Sequence, residues 1–275
     1  GEERRARPRQ DPAITVWFEL ESEGLDKAEL GEPIRLLAWT TTPWTLPSNL
    51  AVAVGAEIEY SLIKTTEAQW VIGSNCLEKY AEDLGEYVVL ATMPGSALVG
   101  RNYKPLFNFF AERDDAFRVL SADFVDTSEG TGIVHMAPGF GEDDQVTCEA
   151  NGIEIGQVVP VDDRGNFTHA VEPWANENVF DANPKIIQHL KEVDRVLRHE
   201  TYEHNYPHCW RTDTPIIYKA ISSWYVEVTK IRSRLEEINQ QINWVPSHVK
   251  DGRFGQWLAG ARDWSISRNR FWGSP

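Results

Sequence analysis

Short runs rich in β-branched and aromatic residues, broken by Gly and Pro, fill the first two-thirds of the chain and limit its fold more than any other feature. Residues 14–20, 34–42, 51–54, 58–64, 69–72, 87–90, 117–125 and 131–136 all read as strands. Many short strands with turn residues between them predict a closed or nearly closed β-barrel. Two short helices interrupt the series, at 74–84 and 142–150. The last third differs. Ile186, Ile187, Leu190, Val193 and Leu197 fall at helical spacing, which predicts a helix over 184–197 with Pro184 near its start, where a missing amide costs little. A loop rich in His, Pro and Trp follows, then an extended stretch from 215 to 228 and a polar helix over 229–241. The expected class is mixed α/β and β-rich, a barrel core decorated by helices.

At 275 residues the chain is long for one compact domain and short for two, so one domain with appendages is expected. We divide it into a basic tail (1–12), the barrel core (13–200) and an exit segment (201–275). Trp is amphipathic, and several of the 11 Trp residues sit in polar neighbourhoods such as HCWRTD and NRFWGSP. Such placements mark interfaces, here surfaces facing domains outside this chain.

Lys plus Arg number 27 and Asp plus Glu 42, a net charge of −15. That balance opposes long-range attraction to nucleic acid, whose non-specific affinity comes mainly from phosphate neutralisation. A nucleic-acid partner must therefore be gripped locally or delivered by other domains. The one basic cluster, Arg4 to Arg9, reads as a solvated, poorly ordered tail. Cys76, Cys148 and Cys209 are odd in number and include no CxxC pair, so neither a disulfide framework nor a zinc knuckle is indicated and a reducing, cytoplasmic setting fits. No apolar run approaches the roughly 18 residues needed to span a bilayer, and no signal peptide opens the chain.

Two segments carry side chains suited to chemistry. In Leu36-Leu-Ala-Trp-Thr-Thr-Thr-Pro-Trp-Thr-Leu-Pro-Ser-Asn49, a strand ends at Thr40, Thr41 and Thr42, and Pro43 stops its ladder. Three hydroxyls beside freed backbone groups can bind a carbonyl, a ribose or water. Thr is also simply a good strand former. In Gly130-Thr-Gly-Ile-Val-His-Met-Ala-Pro-Gly-Phe-Gly-Glu-Asp-Asp144, a strand reaches His135, a Gly- and Pro-rich turn follows, and an acidic N-terminus opens a helix. Capping and the helix dipole alone would explain the acidic residues, and His135 alone reads equally as a structural histidine.

Other chemistries fail on spacing. The glycines fit neither GxGxxG nor GxxxxGK[ST]. His204, His208 and Cys209 are ligand-type residues, but Pro207 disfavours a helix presenting 204 and 208 together, and no second pair follows. No GxSxG elbow occurs. The pairs Asp143-Asp144 and Asp162-Asp163 could serve as general acids and bases, yet nothing in the sequence brings them together.

Taken together, WTTTPWTLPSN and, about 90 residues later, GTGIVHMAPGFGEDD resemble the connective editing insertion of the isoleucyl-tRNA synthetases. The resemblance extends to Tyr206-Pro-His-Cys-Trp-Arg211, Trp224-Tyr225 and Asp263-Trp-Ser-Ile-Ser-Arg-Asn-Arg-Phe-Trp-Gly273, the last marking re-entry into a catalytic Rossmann domain in that family. The leucyl and valyl sister families carry Arg after the second Thr, where this chain has Thr42 followed by Pro-Trp. GFGEDD, in place of a GHGxxD form, is a variant seen within the isoleucyl family. Arg4 to Arg9 matches nothing in it. HIGH and KMSKS are missing from these residues, so aminoacylation by them is not expected.

The resemblance implies the editing-domain fold and hydrolysis of valine misattached to tRNA(Ile); the alternatives are a non-catalytic module that docks the tRNA 3′ end and the editing domain of a valyl or leucyl enzyme. One missing methylene is worth only about 1–3 kcal/mol in an apolar pocket, a limit for which this enzyme family is itself the standard illustration. A second, smaller pocket then hydrolyses what fits and excludes isoleucine. By resemblance, Thr40, Thr41 and Thr42 hold the 3′-adenosine and the ester carbonyl, and Asp144 pairs with the α-ammonium. His135 forms the wall that rejects isoleucine, Phe140 packs the same pocket, and Trp39 and Asn49 line the adenosine side. A positioned water is the nucleophile, with no metal or cofactor required. The expected partners are the 3′ end of tRNA(Ile) and the remaining synthetase domains, with no membrane, and the chain is expected to be a monomer.

Overall fold

The strand-forming runs pair into one 10-stranded sheet. The computed structural model of the chain describes residues 4–21, 32–156 and 158–268. Its strands are β1 (Arg4–Leu20), β2 (Ile34–Thr40), β3 (Ala51–Val54), β4 (Glu59–Lys64), β5 (Gln69–Gly73), β6 (Val88–Pro94), β7 (Tyr103–Lys104), β8 (Arg118–Ser121), β9 (Ile133–Met136) and β10 (Val196–Cys209). The helices among them are α1 (Ala81–Leu84), α2 (Glu142–Ala150) and α3 (Val179–Glu192), with a 3₁₀ segment over Pro43–Ser48.

The pairings run in a circuit. β1 pairs with β2, β2 with β9, β9 with β3, and β3 with β8. An isolated bridge between Asn102 and Arg118 leads from β8 to β7, which pairs back onto β1. The expected β-barrel core is therefore present, and β5, β4 and β6 extend its sheet outward from β2. Side-chain alternation layers it. Ile14, Val16 and Phe18 of β1 and Ile34, Leu36 and Ala38 of β2 enter the main core. Trp17, Leu37, Trp70 and Ile72 point the other way into a smaller cluster, which Tyr80 and Leu84 cover. Each large side chain so buried is worth about 1.5–3 kcal/mol, and both faces of β2 are occupied.

Three expectations are corrected here. Residues 4–12 are not a tail: they form the first half of β1, antiparallel to β10 from Arg4–Cys209 to Pro12–Thr201. The sequence shows only the like charges; the fold supplies partners for Arg7 and Arg9. Arg9 lies over the rings of Phe180 and Tyr206 at 4.4 and 5.0 Å and bonds Asp11 at 2.8 Å, and Asp11 in turn bonds His204 Nε2 at 2.9 Å. The boundary expected near residue 200 falls inside β10, and the chain divides instead into units at Ala220 and Ile221. Finally, α3 begins five residues before Pro184, capped by Asn178, whose Oδ1 accepts the Phe180 amide at 3.1 Å. Its apolar face, Val179, Ala182, Ile186, Ile187 and Leu190, packs into the main core. The helix ends at Glu192, and Leu197 belongs to β10.

The second unit contains β11 (Tyr225–Val226), α4 (Arg232–Gln241), α5 (Arg253–Ala259) and β12 (Trp264–Ser265). Asn239 ties it together, donating to the Lys250 carbonyl and accepting from Trp244 Nε1, both at 2.9 Å. Trp224, Trp257 and Trp264 are more than half exposed there. Residues 269–273 of the expected re-entry motif lie outside the described residues.

Candidate functional site

A parallel pairing joins the two motifs. β2 and β9 run in the same direction with Trp39 opposite Val134, so their C-terminal ends leave the sheet side by side and Thr40 comes to lie beside His135. Parallel neighbours put their chain exits at one edge, where open α/β sheets also place their ligands. From that edge β2 continues into the 3₁₀ segment and β9 into the Ala137–Gly141 turn before α2.

Pro43 opens the 3₁₀ segment, where its missing amide costs nothing. The Thr45 amide closes on the Thr42 carbonyl at 2.9 Å, and the Trp44 amide is taken by Asn183 Oδ1 of α3 at 2.9 Å. Helix α3 thus pins the segment that carries Thr45. Thr40 Oγ1 accepts the Thr42 amide at 3.1 Å and stands 3.3 Å from Thr42 Oγ1. The threonines line a polar floor rather than continue the strand.

His135 is held at both nitrogens. Asn49 Nδ2 lies 2.9 Å from Nδ1, and Thr45 Oγ1 lies 2.9 Å from Nε2. An amide nitrogen only donates, so Nδ1 carries the lone pair and Nε2 carries the proton, which it donates to Thr45. Burial pushes the His135 pKa down to about 3, so the ring is neutral. It lines a cavity as a neutral ring whose one lone pair, on Nδ1, is taken by Asn49.

Asp144 is the third residue of α2. Its Oδ2 accepts the Ala137 amide at 2.9 Å. Burial pushes its pKa up, the Ala137 amide opposes that shift, and Asp143 adds to it. No cationic side chain among the described residues pairs with it. Gly141 makes room for the carboxylate, since a Cβ there would lie 2.9 Å from Asp144 Cγ.

These residues surround an open cavity of about 330 Å³. Of the residues singled out from sequence, Trp39, Thr40, Thr41, Thr42, His135, Phe140 and Asp144 line it. Asn49 does not, a departure from the expectation. It is buried behind His135, its Nδ2 also donating to the Ala51 carbonyl at 2.7 Å and its Oδ1 accepting from Tyr103 at 2.6 Å. With donors and acceptor all engaged inside the protein, it has nothing to offer a ligand directly. The sequence reading missed Thr45, Phe124, Asp126, Glu129, Val134 and Ala137. Thr45 was within reach as the fourth threonine of the same motif. Phe124, Asp126 and Glu129 come from a loop without any motif. The cavity is acidic: Asp126, kept ionised by the Ser128 hydroxyl and amide, and Glu129, which accepts from Tyr202 at 2.7 Å, join Asp144. Such a lining suits an ammonium and repels phosphate.

The family model for tRNA synthetases class I (I, L, M and V) matches residues 14–275. The chain belongs to this family. It is 54% identical over 271 residues to the isoleucine–tRNA ligase of Rickettsia africae (strain ESF-5), covering 98% of this chain and 25% of the relative. The isoleucine–tRNA ligase of Rickettsia felis is 53% identical over 282 residues, with 98% and 26% covered. The chain thus spans about a quarter of the length of the curated relatives it matches. Its fold is similar to the crystal structure of GlLeuRS-CP1, with TM-score 0.54, 15% identity, and 68% of this chain and 98% of that one covered. The editing domain of the P. knowlesi cytosolic leucyl-tRNA synthetase matches with TM-score 0.52 and 12% identity, covering 71% and 97%. The barrel is therefore the fold of synthetase CP1 editing domains, and the sequence relatives are isoleucyl enzymes.

Proposed function

We propose that this chain is the editing module of an isoleucyl-tRNA synthetase and hydrolyses the ester joining misattached valine to tRNA(Ile). The observation that carries this reading is Asp144: a half-buried carboxylate facing an acidic cavity, paired with no cationic side chain among the described residues. A buried carboxylate without a counter-ion is costly, and the α-ammonium of an aminoacyl ester supplies the missing charge through a charge-assisted hydrogen bond. With the ammonium fixed there, Thr40, Thr41 and Thr42 meet the ester carbonyl and the terminal ribose, and Trp39 flanks the adenosine. His135 and Phe140 face the amino-acid side chain and set its permitted size.

An aminoacyl ester is already activated, so a positioned water and modest polarisation of the carbonyl suffice. His135 takes no proton in this scheme. The water is oriented by the threonine hydroxyls and by the substrate's own ribose hydroxyl. The phosphates of the 3′ end stay outside the acidic cavity, held by other domains of the longer enzyme. A non-hydrolysable valyl-adenosine mimic tests the reading by calorimetry. It should bind the wild-type chain, bind Asp144→Ala at least about tenfold more weakly, and outcompete the isoleucyl mimic. Equal binding of both mimics by wild type and mutant would remove the assignment.

A further inference from the structure

Tyr103 lies outside the cavity, on β7, yet a hydrogen-bonded chain runs from it to the cavity floor. Its ring is buried edge-on against Phe18 and Phe117, at centroid separations of 5.0 and 6.1 Å. Its hydroxyl donates to Asn49 Oδ1 at 2.6 Å. The carbonyls of Ala51 and Met136, at 2.7 and 3.4 Å, require the nitrogen of the Asn49 amide to face them, which leaves Oδ1 for Tyr103. The same nitrogen donates to His135 Nδ1, His135 Nε2–H donates to Thr45 Oγ1, and Thr45 Oγ1–H donates to the Thr42 carbonyl at 2.9 Å. Each proton in the chain has one direction.

We propose that Tyr103 is a positioning residue for the size filter: through Asn49 it fixes the His135 ring in the Nε2–H tautomer and in one orientation against the amino-acid side chain. This rests on the reading of His135 as the wall that excludes isoleucine. Without the Tyr103 hydroxyl, Asn49 Oδ1 is a buried acceptor with no donor, and turning the amide over would set Oδ1 against two carbonyls. The first outcome loosens the amide that holds the ring, the second turns the ring toward Nδ1–H, and in both a less fixed wall admits a bulkier side chain.

Tyr103→Phe removes the hydroxyl and keeps the ring packing. The ¹⁵N shifts of the His135 ring, together with hydrolysis of valyl- and isoleucyl-tRNA(Ile), read the result on the full chain. The wild type should show a single Nε2–H tautomer. Tyr103→Phe should show mixed or exchange-averaged tautomers and a preference for the valyl ester reduced about tenfold, mainly because isoleucyl hydrolysis rises. An unchanged tautomer with unchanged preference overturns the proposal. Asn49→Asp provides a second arm should Tyr103→Phe not fold. A carboxylate accepts from both Tyr103 and the ring, so His135 must turn to Nδ1–H, and a persisting Nε2–H tautomer overturns the relay. If the wild type hydrolyses neither ester, the editing reading fails, while the ring shifts still decide the relay.

Discussion

Burial moves the pKa of Asp144 up and that of His135 down, so each costs the folded state stability on the side of the pH range where that group would be charged. Burial of the charged Asp144 carboxylate costs the folded state at neutral pH, a cost that function requires and stability does not. Asp144→Asn keeps an oxygen acceptor for the Ala137 amide. It is expected to leave the thermal midpoint equal or higher while lowering deacylation about 10- to 100-fold, the worth of a hydrogen bond to a charged group; melting curves beside rate measurements check both. For His135 the folded pKa, about 3, lies below the unfolded value of 6.5. Between these the unfolded chain takes up a proton that the native ring refuses, so stability is lost as pH falls from about 6.5 toward 3. Replacing His135 by Gln should flatten that part of the stability–pH curve measured by urea titration. His135→Ala should also make isoleucyl-tRNA(Ile) a substrate, and unchanged selectivity would remove His135 from the sieve. At this scale seven of the thirteen residues lining the candidate cavity were legible in the sequence, because Thr, His and Asp stand in compact motifs. It misplaced Asn49, since a motif cannot say which of its members turn inward.

Elements decide which motifs meet. The parallel pairing of β2 with β9 and the Asn183 bond from α3 to the Trp44 amide are contacts between residues far apart in sequence, which no local pattern encodes. Strands with β-branched alternation and helix α2 were legible, because period and an acidic first turn are local signals. Strand β10 was not, because VLRHETYEHNYPHC is polar over most of its length and gains its order from β1 and from ring contacts such as the tilted Tyr202–His204 pair and the edge-on His204–Tyr206 pair. The start of α3 was misread because Pro184 resembles an N1 proline while Asn178 is the cap. Two substitutions test these joints. Asn183→Ala orphans the Trp44 amide and should cost about 1–3 kcal/mol, with deacylation falling because Thr45 loses its support. Gly141→Ala forces its Cβ onto the Asp144 carboxylate and should reduce binding of the valyl-adenosine mimic while leaving the urea midpoint nearly unchanged.

At the scale of the whole molecule, the chain spans a quarter of its relatives' length and carries a net charge of −15, a balance that opposes long-range attraction to nucleic acid. The barrel was legible from many short strands and turns. Its register and the division at residue 220 were not, because both depend on long-range pairing of β1 with β10. Of the tryptophans singled out for their polar neighbours, Trp210 is half exposed, and Trp272 lies outside the described residues. Among the described residues no helix is long and apolar enough to cross a membrane. The central claim is that this barrel removes valine from tRNA(Ile) through Asp144. The direct test is the rate at which the chain hydrolyses valyl-tRNA(Ile) and isoleucyl-tRNA(Ile), with wild type and Asp144→Asn in parallel. Hydrolysis of the valyl ester in preference to the isoleucyl ester, lowered about 10- to 100-fold in the mutant, is the expected result. Valyl hydrolysis that survives undiminished in Asp144→Asn would contradict the account.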